Sequence, residues 1–299
     1  MSLNLVDTRV LATPFEYFEP SSIKEAVDVL GTYGERAAVL AGGTDLLIRM
    51  KQRLTEPKYV VNIKKIEELK AIEDKGDFLL IGSTANLLEI ENSDIVKAKF
   101  PALREAIMSI GALQIRIMAT LGGNLCNASP AADSAPALVV LGARVKLMSS
   151  SGDRVLTLEE FFTGPRKTAM KPGELLVEIQ VPYPPSGTGT SFLRLTRAAV
   201  DIAKVNVAAL LTVQENVVCS CGIALGSVAP TTMRAKKAEA LLLGKKITEK
   251  AIAEAARIAS EEIKPITDIR STARYRIDAA RVLVKRALRL ARDGSFERT

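Results

Sequence analysis

The sequence predicts an α+β fold in three successive parts, over residues 1–60, 61–182 and 188–299. Three observations carry that expectation. Two apolar stretches each run into a glycine pair followed by small polar residues, Ala41-Gly42-Gly43-Thr44-Asp45 and Thr120-Leu121-Gly122-Gly123-Asn124. The segment Pro182-Tyr183-Pro184-Pro185-Ser186-Gly187 reads as a linker, because consecutive prolines continue neither a helix nor a sheet. Beyond it, strand-like segments come first and helical segments follow, an order that builds helices against an antiparallel sheet.

Taken in order, the first helix opens at Ser22, which with Glu25 has capping-box spacing, and carries Ile23, Val27 and Leu30 on one face until Gly31 or Gly34 ends it. Ala37 to Leu40 form a short buried strand that delivers the first glycine loop; Leu46 to Lys51 are helical, and Tyr59 to Ile63 form another strand. Phe78 to Gly82 begins the second part, where a helix from Pro101 to Ile110 aligns Leu103, Ala106, Ile107 and Ile110 in one stripe. Ala143 to Met148 and Leu175 to Pro182 alternate like strands. After the linker, Ser191 to Leu195, Val207 to Gln214 and Val217 to Val228 predict a three-stranded antiparallel sheet with Glu215-Asn216 as a turn. Helices follow at Thr232 to Leu243, Thr248 to Ile263 and Thr272 to Arg292, the last burying Ile277, Ala280, Leu283, Val284, Ala287 and Leu288 as a helical bundle forms.

Composition narrows the function classes. At 299 residues the chain is long enough for several cores, and no uncharged apolar run reaches the roughly 18 residues of a membrane span. The N-terminus lacks a basic stretch followed by an apolar one, so a cytoplasmic protein is expected. The net charge of +7 is spread along the chain, with no Trp and 5 Tyr available to stack on bases, which favours a solvated basic surface or an acidic protein partner over nucleic acid. Cys126, Cys219 and Cys221 match no zinc or iron–sulfur spacing, and the last two, alternating in a strand, are expected on one face as small core groups. The absence of histidine excludes Ser-His-Asp and Cys-His nucleophile systems, His-ligated metals and a flavin attached through histidine. Chemistry supplied by a bound cofactor fits better.

The glycine motifs suggest what that cofactor is. Glycine allows positive φ and close approach of backbone to a ligand, so successive N–H groups turn toward an anion while Thr, Asp or Asn adds side-chain hydrogen bonds. Each motif alone is also consistent with a plain tight turn. Two of one type point to a ligand longer than a single phosphate, such as a dinucleotide.

The run Gln114-Ile115-Arg116, Thr120 to Asn124, Ser129-Pro130 and Asp133-Ser134-Ala135-Pro136 resembles the FAD-binding part of the molybdenum hydroxylases, the family of xanthine dehydrogenase and aerobic carbon monoxide dehydrogenase. The first glycine loop is similar to that family's first pyrophosphate loop. Asp201-Ile202-Ala203-Lys204-Val205 resembles the segment beside the flavin ring in xanthine dehydrogenases, and the C-terminal order of strands and helices, with Tyr275-Arg276 opening the last helix, is similar to the family's C-terminal flavoprotein domain.

The resemblance implies a two-part FAD-binding domain of the PCMH/VAO-like type followed by the C-terminal domain, with FAD as cofactor. It implies that Leu40, Ala41, Gly42, Gly43, Thr44 and Asp45, together with Thr120, Gly122, Gly123 and Asn124, hold the pyrophosphate and neighbouring sugars. Asp133 would hydrogen-bond a ribityl hydroxyl or sugar, its alternative being a helix cap after Pro130. Ile202 would pack against the isoalloxazine ring, or is simply core. Lys204 would tune the flavin or meet a nicotinamide, or is an exposed lysine. Arg116 either braces the second loop or touches the cofactor. Ile117 stands where many family members have Asn, which leaves that position without its side-chain hydrogen bonds. The implied function is an oxidoreductase subunit that passes electrons from a [2Fe-2S] small subunit, fed by a molybdopterin-binding large subunit, to NAD, a quinone or oxygen. A structural FAD-binding assembly subunit and an autonomous flavin reductase are the alternatives.

Overall fold

The computed structural model describes residues 11 and 13–296. Met1 to Val10, on which the expectation of no leader rests, and the last three residues of the third part lie outside the described residues. The chain opens with β1 (Glu16–Phe18), α1 (Ile23–Tyr33), β2 (Ala37–Leu40), α2 (Leu46–Lys51) and β3 (Tyr59–Asn62). The Ser22 hydroxyl accepts the Glu25 N–H at 3.2 Å, as the sequence predicts, but the Glu25 carboxylate accepts from the Ser21 N–H. Gly34, at φ 53°, ends the helix, and Gly31 lies inside it. Each helical crossover returns the next strand parallel, giving the sheet order β1-β3-β2. Strand β2 is half-buried along its length, not buried.

The second part begins with β4 (Ile72–Asp74) and β5 (Phe78–Gly82), then winds through α3 (Leu87–Asn92), α4 (Asp94–Lys99), α5 (Pro101–Met108), α6 (Leu113–Met118), α7 (Leu121–Cys126) and α8 (Ser134–Val140). It closes with β6 (Arg144–Ser149), β7 (Gly152–Thr157), α9 (Leu158–Phe161), β8 (Phe162–Gly164), β9 (Lys167–Thr168) and β10 (Leu175–Pro182). Strands β4, β5, β10, β6 and β7 form an antiparallel sheet in that order. A bulge after Leu176 shifts the phase of β10. Leu175 and Val177 therefore pack toward α1 and β3, while Leu176, Ile179 and Val181 pack under the helices α3 to α8. One strand thus serves two cores.

The third part adds a strand to the expectation. β11 (Thr188–Leu195), β12 (Val205–Gln214), β13 (Val217–Gly226) and the two-residue β14 (Met233–Arg234) make a four-stranded antiparallel sheet, not a three-stranded one. β14 takes the start of the segment expected to be helical, so α10 covers only Lys236–Leu242; α11 (Glu249–Glu262) and α12 (Ala273–Phe296) follow. The Glu215-Asn216 turn has φ of 48° and 65°, the positive pair that a tight type I′ hairpin requires. A bulge places Cys219 outside the β12–β13 register, and this overturns its expected burial: Cys219 is exposed while Cys221, back in phase, packs on the helical side. Val205, Val207, Ala209, Leu211 and Val213 of β12 pack with α10 to α12, whereas Ala208 and Leu210 pack on the side of α8.

Strand β11 meets α12 backbone to backbone at Gly189, where a Cβ would lie 1.9 Å from the Ala291 carbonyl oxygen and 2.4 Å from the Ser295 nitrogen. A Cβ at Gly294, facing it from the helix, would meet only the Gly189 Cα at 3.8 Å. Gly189→Ala is therefore expected to destabilise by about 1–3 kcal/mol through overpacking. Gly294→Ala should be neutral or stabilise by up to about 1 kcal/mol through helix propensity. Urea unfolding of both variants checks the opposite signs.

Candidate functional site

The first glycine motif leaves the end of β2, turns at Gly43 with φ 76°, and feeds α2. Gly42 lies against the end of α6: a Cβ there would stand 2.2 Å from the Met118 carbonyl oxygen. Among the described residues, the N–H groups of Gly42, Gly43, Thr44 and Asp45 donate to no protein acceptor. These main-chain donors lie together in one turn, the arrangement that positive-φ turns provide.

The second motif is built differently from the expected cradle. Residues Leu121 to Asn124 are the first turn of α7, capped by the Thr120 side chain, and neither glycine has positive φ. Their amides are already bonded: Leu121 to Ala85 O and Gly122 to Ser83 O, both at 3.2 Å, with Gly123 to Thr120 Oγ1 and Asn124 to Thr120 O, both at 3.0 Å. Gly122 is required for contact, since a Cβ would stand 2.5 Å from the Ser83 oxygen. The motif thus offers a small, close surface and the Asn124 side chain, whose Oδ1 accepts from Ser134 Oγ at 2.6 Å. A helical start read as a loop is the physical reason for the difference.

Both motifs line one cavity of about 380 Å³, which contains Ala41 to Asp45 on one wall and Thr120, Gly122, Gly123 and Asn124 on the other. That volume falls in the range of about 300–1,000 Å³ typical of small-molecule sites. Asn127 links the walls by donating to Asp45 Oδ1 at 3.2 Å while accepting from Arg166 at 3.0 Å. Ile110 and Ile115 give the cavity apolar surface and Arg49 gives it a guanidinium. Ser83 also lines it, and its buried hydroxyl has no partner among the described residues. Of these, sequence reasoning singled out for the site only Ile115, within the Gln114-Ile115-Arg116 run. Ser83 carried one usable signal, since it immediately follows a strand and precedes a small-residue turn.

The remaining predicted residues stand off the cavity wall. Leu40 supports Gly43 from below, its Cδ1 being 3.0 Å from where a Gly43 Cβ would sit. Arg116 pairs with Glu91 at 2.8 Å and donates to the carbonyls of Ile110 and Gly111, both at 3.4 Å, so it braces the turn that presents Ile110 to the cavity.

Asp133, Ile202 and Lys204 form a second group. Asp133 occupies the N-cap position of α8 without capping it. Its carboxylate accepts from Arg194 at 3.0 Å and from Asn206 at 2.7 Å. Burial pushes the Asp133 carboxyl above the usual range, against the opposing pull of Asn206 and Arg194. Ile202 is 48% exposed, which removes the core alternative. Lys204 lies over the Tyr275 ring at 5.3 Å, and its carbonyl accepts from Arg276 at 2.6 Å. Asp201 is held at about 2, chiefly by its hydrogen bond from Arg197.

The comparisons with known proteins agree over nearly the whole chain. Residues 13–184 match the family model described as the FAD binding domain in molybdopterin dehydrogenase, and residues 190–291 match the CO dehydrogenase flavoprotein C-terminal domain. The carbon monoxide dehydrogenase medium chain of Afipia carboxidovorans is 35% identical over 278 residues, covering 93% of this chain and 96% of that one. The caffeine dehydrogenase subunit beta of a Pseudomonas species is 33% identical over 282 residues, covering 94% and 96%. The solved carbon monoxide dehydrogenase from Hydrogenophaga pseudoflava that lacks the Mo-pyranopterin moiety of its molybdenum cofactor superposes with a TM-score of 0.92 at 36% identity, covering 94% of this chain and 98% of that one.

Cys126 also lines the cavity, and burial pushes its thiol up to about 12, as it does that of Cys221. Both thiols stay protonated and unreactive at neutral and mildly basic pH. Iodoacetamide at about pH 8 is expected to label Cys219 and spare the other two, read by peptide mapping. Equal labelling of Cys126 would show that its surroundings are wetter than the packing implies.

Proposed function

This chain belongs to the FAD-binding medium-subunit family of the molybdenum hydroxylases, and from that premise we propose that it is the electron-transfer subunit of a complex with a molybdopterin-binding large subunit and a [2Fe-2S] small subunit. The amides of Gly42 to Asp45, without a partner among the described residues and lining a cavity opposite Thr120, Gly122, Gly123 and Asn124, carry the proposal. They suit a pyrophosphate, and the orphaned Ser83 hydroxyl suits a sugar or ribityl hydroxyl. Bound FAD supplies the exchange between single electrons and electron pairs that such a complex needs.

The chain's own residues divide the work of holding it. The first loop donates main-chain N–H groups to the phosphates and Arg49 adds positive charge, while Gly122 and Gly123 let the ligand lie close without competing donors. Ile110 and Ile115 exclude water from the apolar end of the cavity. Ile202, exposed on its loop, would cover the ring edge, and Asp133, which pairs with Arg194 of that loop's supporting strand, would act on the cofactor through the loop.

Other subunits have a surface to meet. All of α6 lies outside the core, and Leu113, Ile117 and Met118 are about half exposed beside the cavity wall. A cluster of large apolar side chains at the cofactor's edge supports a partner covering that side. NAD is the acceptor favoured by the resemblance of Asp201 to Val205.

The purified complex is expected to carry FAD, not FMN, in about a one-to-one ratio, released intact by acid, because no histidine is present to hold it and the Cys126 thiol in the cavity stays protonated. Gly43→Val should weaken binding by at least roughly 5- to 150-fold, since a β-branched residue at φ 76° costs about 1–3 kcal/mol in strain alone. Stopped-flow reoxidation of the reduced complex by NAD, a quinone and oxygen tests the electron-transfer role. A flavin that none of the three reoxidises would leave the subunit a passive carrier.

A further inference from the structure

The hairpin between β11 and β12 carries Ile202 on a loop closed at its base by the Leu195–Val205 pair and by the Lys204 N–H donating to Leu195 O at 2.8 Å. Inside the loop, Arg197 pairs with Asp201 at 2.6 Å, and Ile202 donates its N–H to Asp201 Oδ1 at 2.9 Å. Those contacts shape the loop without attaching it to anything. Val200 at its tip is 64% exposed.

The attachment runs through Arg194. From β11, its Nη1 donates to Asp133 Oδ2 at 3.0 Å and reaches Asp201 O at 3.5 Å, while Nη2 donates to Ala199 O. One planar guanidinium therefore holds a carboxylate at the start of α8 and two carbonyls of the loop, a fork that an ammonium cannot reproduce. Asn206 donates to the other Asp133 oxygen at 2.7 Å and so fixes the carboxylate's direction. The pair is nearly out of water, with side chains 14% and 9% exposed. Such a pair contributes little net stability relative to apolar packing, but it fixes one geometry.

We propose that Arg194 is the positioning residue of the Ile202 loop, fastening it through Asp133 to the half of the protein that builds the cofactor cavity. This inference rests on the proposal that Ile202 lies beside the flavin. Arg276 holds only the base of the loop, through the Lys204 carbonyl, and leaves its tip to Arg194.

Limited trypsin digestion of the FAD-loaded full chain tests the proposal, because Arg197 is an exposed cleavage site within the loop. The double variant Arg194→Met/Asp133→Asn removes the tie without stranding a buried charge, and Arg194→Lys keeps the charge but loses the fork. Cleavage after Arg197 is expected to quicken at least about tenfold in the double variant as the loop opens. Arg194→Lys should also quicken it. FAD affinity should stay within about threefold, because the pyrophosphate loops remain. The fluorescence and visible spectrum of bound FAD should change. A parental cleavage rate in the double variant, with its circular dichroism unchanged, overturns the proposal. Faster cleavage with an unchanged flavin signal upholds the tie and instead overturns the placement of Ile202 beside the flavin.

Discussion

Two contacts between backbones set the geometry on which the site depends: Gly42 on the Met118 carbonyl and Gly122 on the Ser83 carbonyl. Neither space admits a methyl group. The first stacks the turn after β2 on the end of α6, and the second stacks the start of α7 on the end of β5. The cavity is therefore walled largely by main chain and small residues. The second contact also uses up the α7 amides, since Leu121 and Gly122 donate to Ala85 and Ser83. Only the first loop keeps its donors. Two motifs that look alike in sequence thus serve different purposes, one binding through hydrogen bonds and the other through closeness.

The polar seam between the cavity-building half and the C-terminal sheet is the second organising feature. Asp133, Arg194 and Asn206 sit where apolar residues would pack with less desolvation cost. Deleting one partner of such a buried pair leaves a charge stranded, at a cost of about 3–5 kcal/mol. The adjoining Ser227 N–H donates to Pro130 O at 2.7 Å, and Arg276 reaches the Ser227 carbonyl at 2.9 Å, so the seam continues to the last helix. Its polar groups specify how the halves meet, which apolar packing alone would leave less defined.

Much of this was legible in the residues, and the failures have local causes. Alternation over Leu175 to Pro182 gave β10 to the residue, and Glu215-Asn216 gave the hairpin, because period and turn chemistry there agree. The helices α3, α4 and α6 are six residues each, too short for a 3.6-residue period to emerge, although Asn86 and Glu89 do form a capping box. Thr120 at the N-cap was the overlooked sign that the second glycine pair begins a helix. Cys219 was misplaced because a bulge is not written in an alternating pattern. The two motifs, recognisable as glycine pairs in the sequence, meet across one cavity. Ser83, Asn127 and Arg194 were not foreseen, since each is recruited by tertiary contacts between segments remote in sequence.

Strand β12 has hardly any solvent face: nine of its ten residues are buried, with Val207 and Leu211 against the helices and Ala208 and Leu210 against the cofactor half. It acts as a party wall. Loosening either side exposes apolar surface that the other side shares, so the strand couples the two cores. During synthesis the cofactor half must wait, partly uncovered, until this late strand arrives. Until then the apolar surface that Ala208 and Leu210 cover has no partner from this strand.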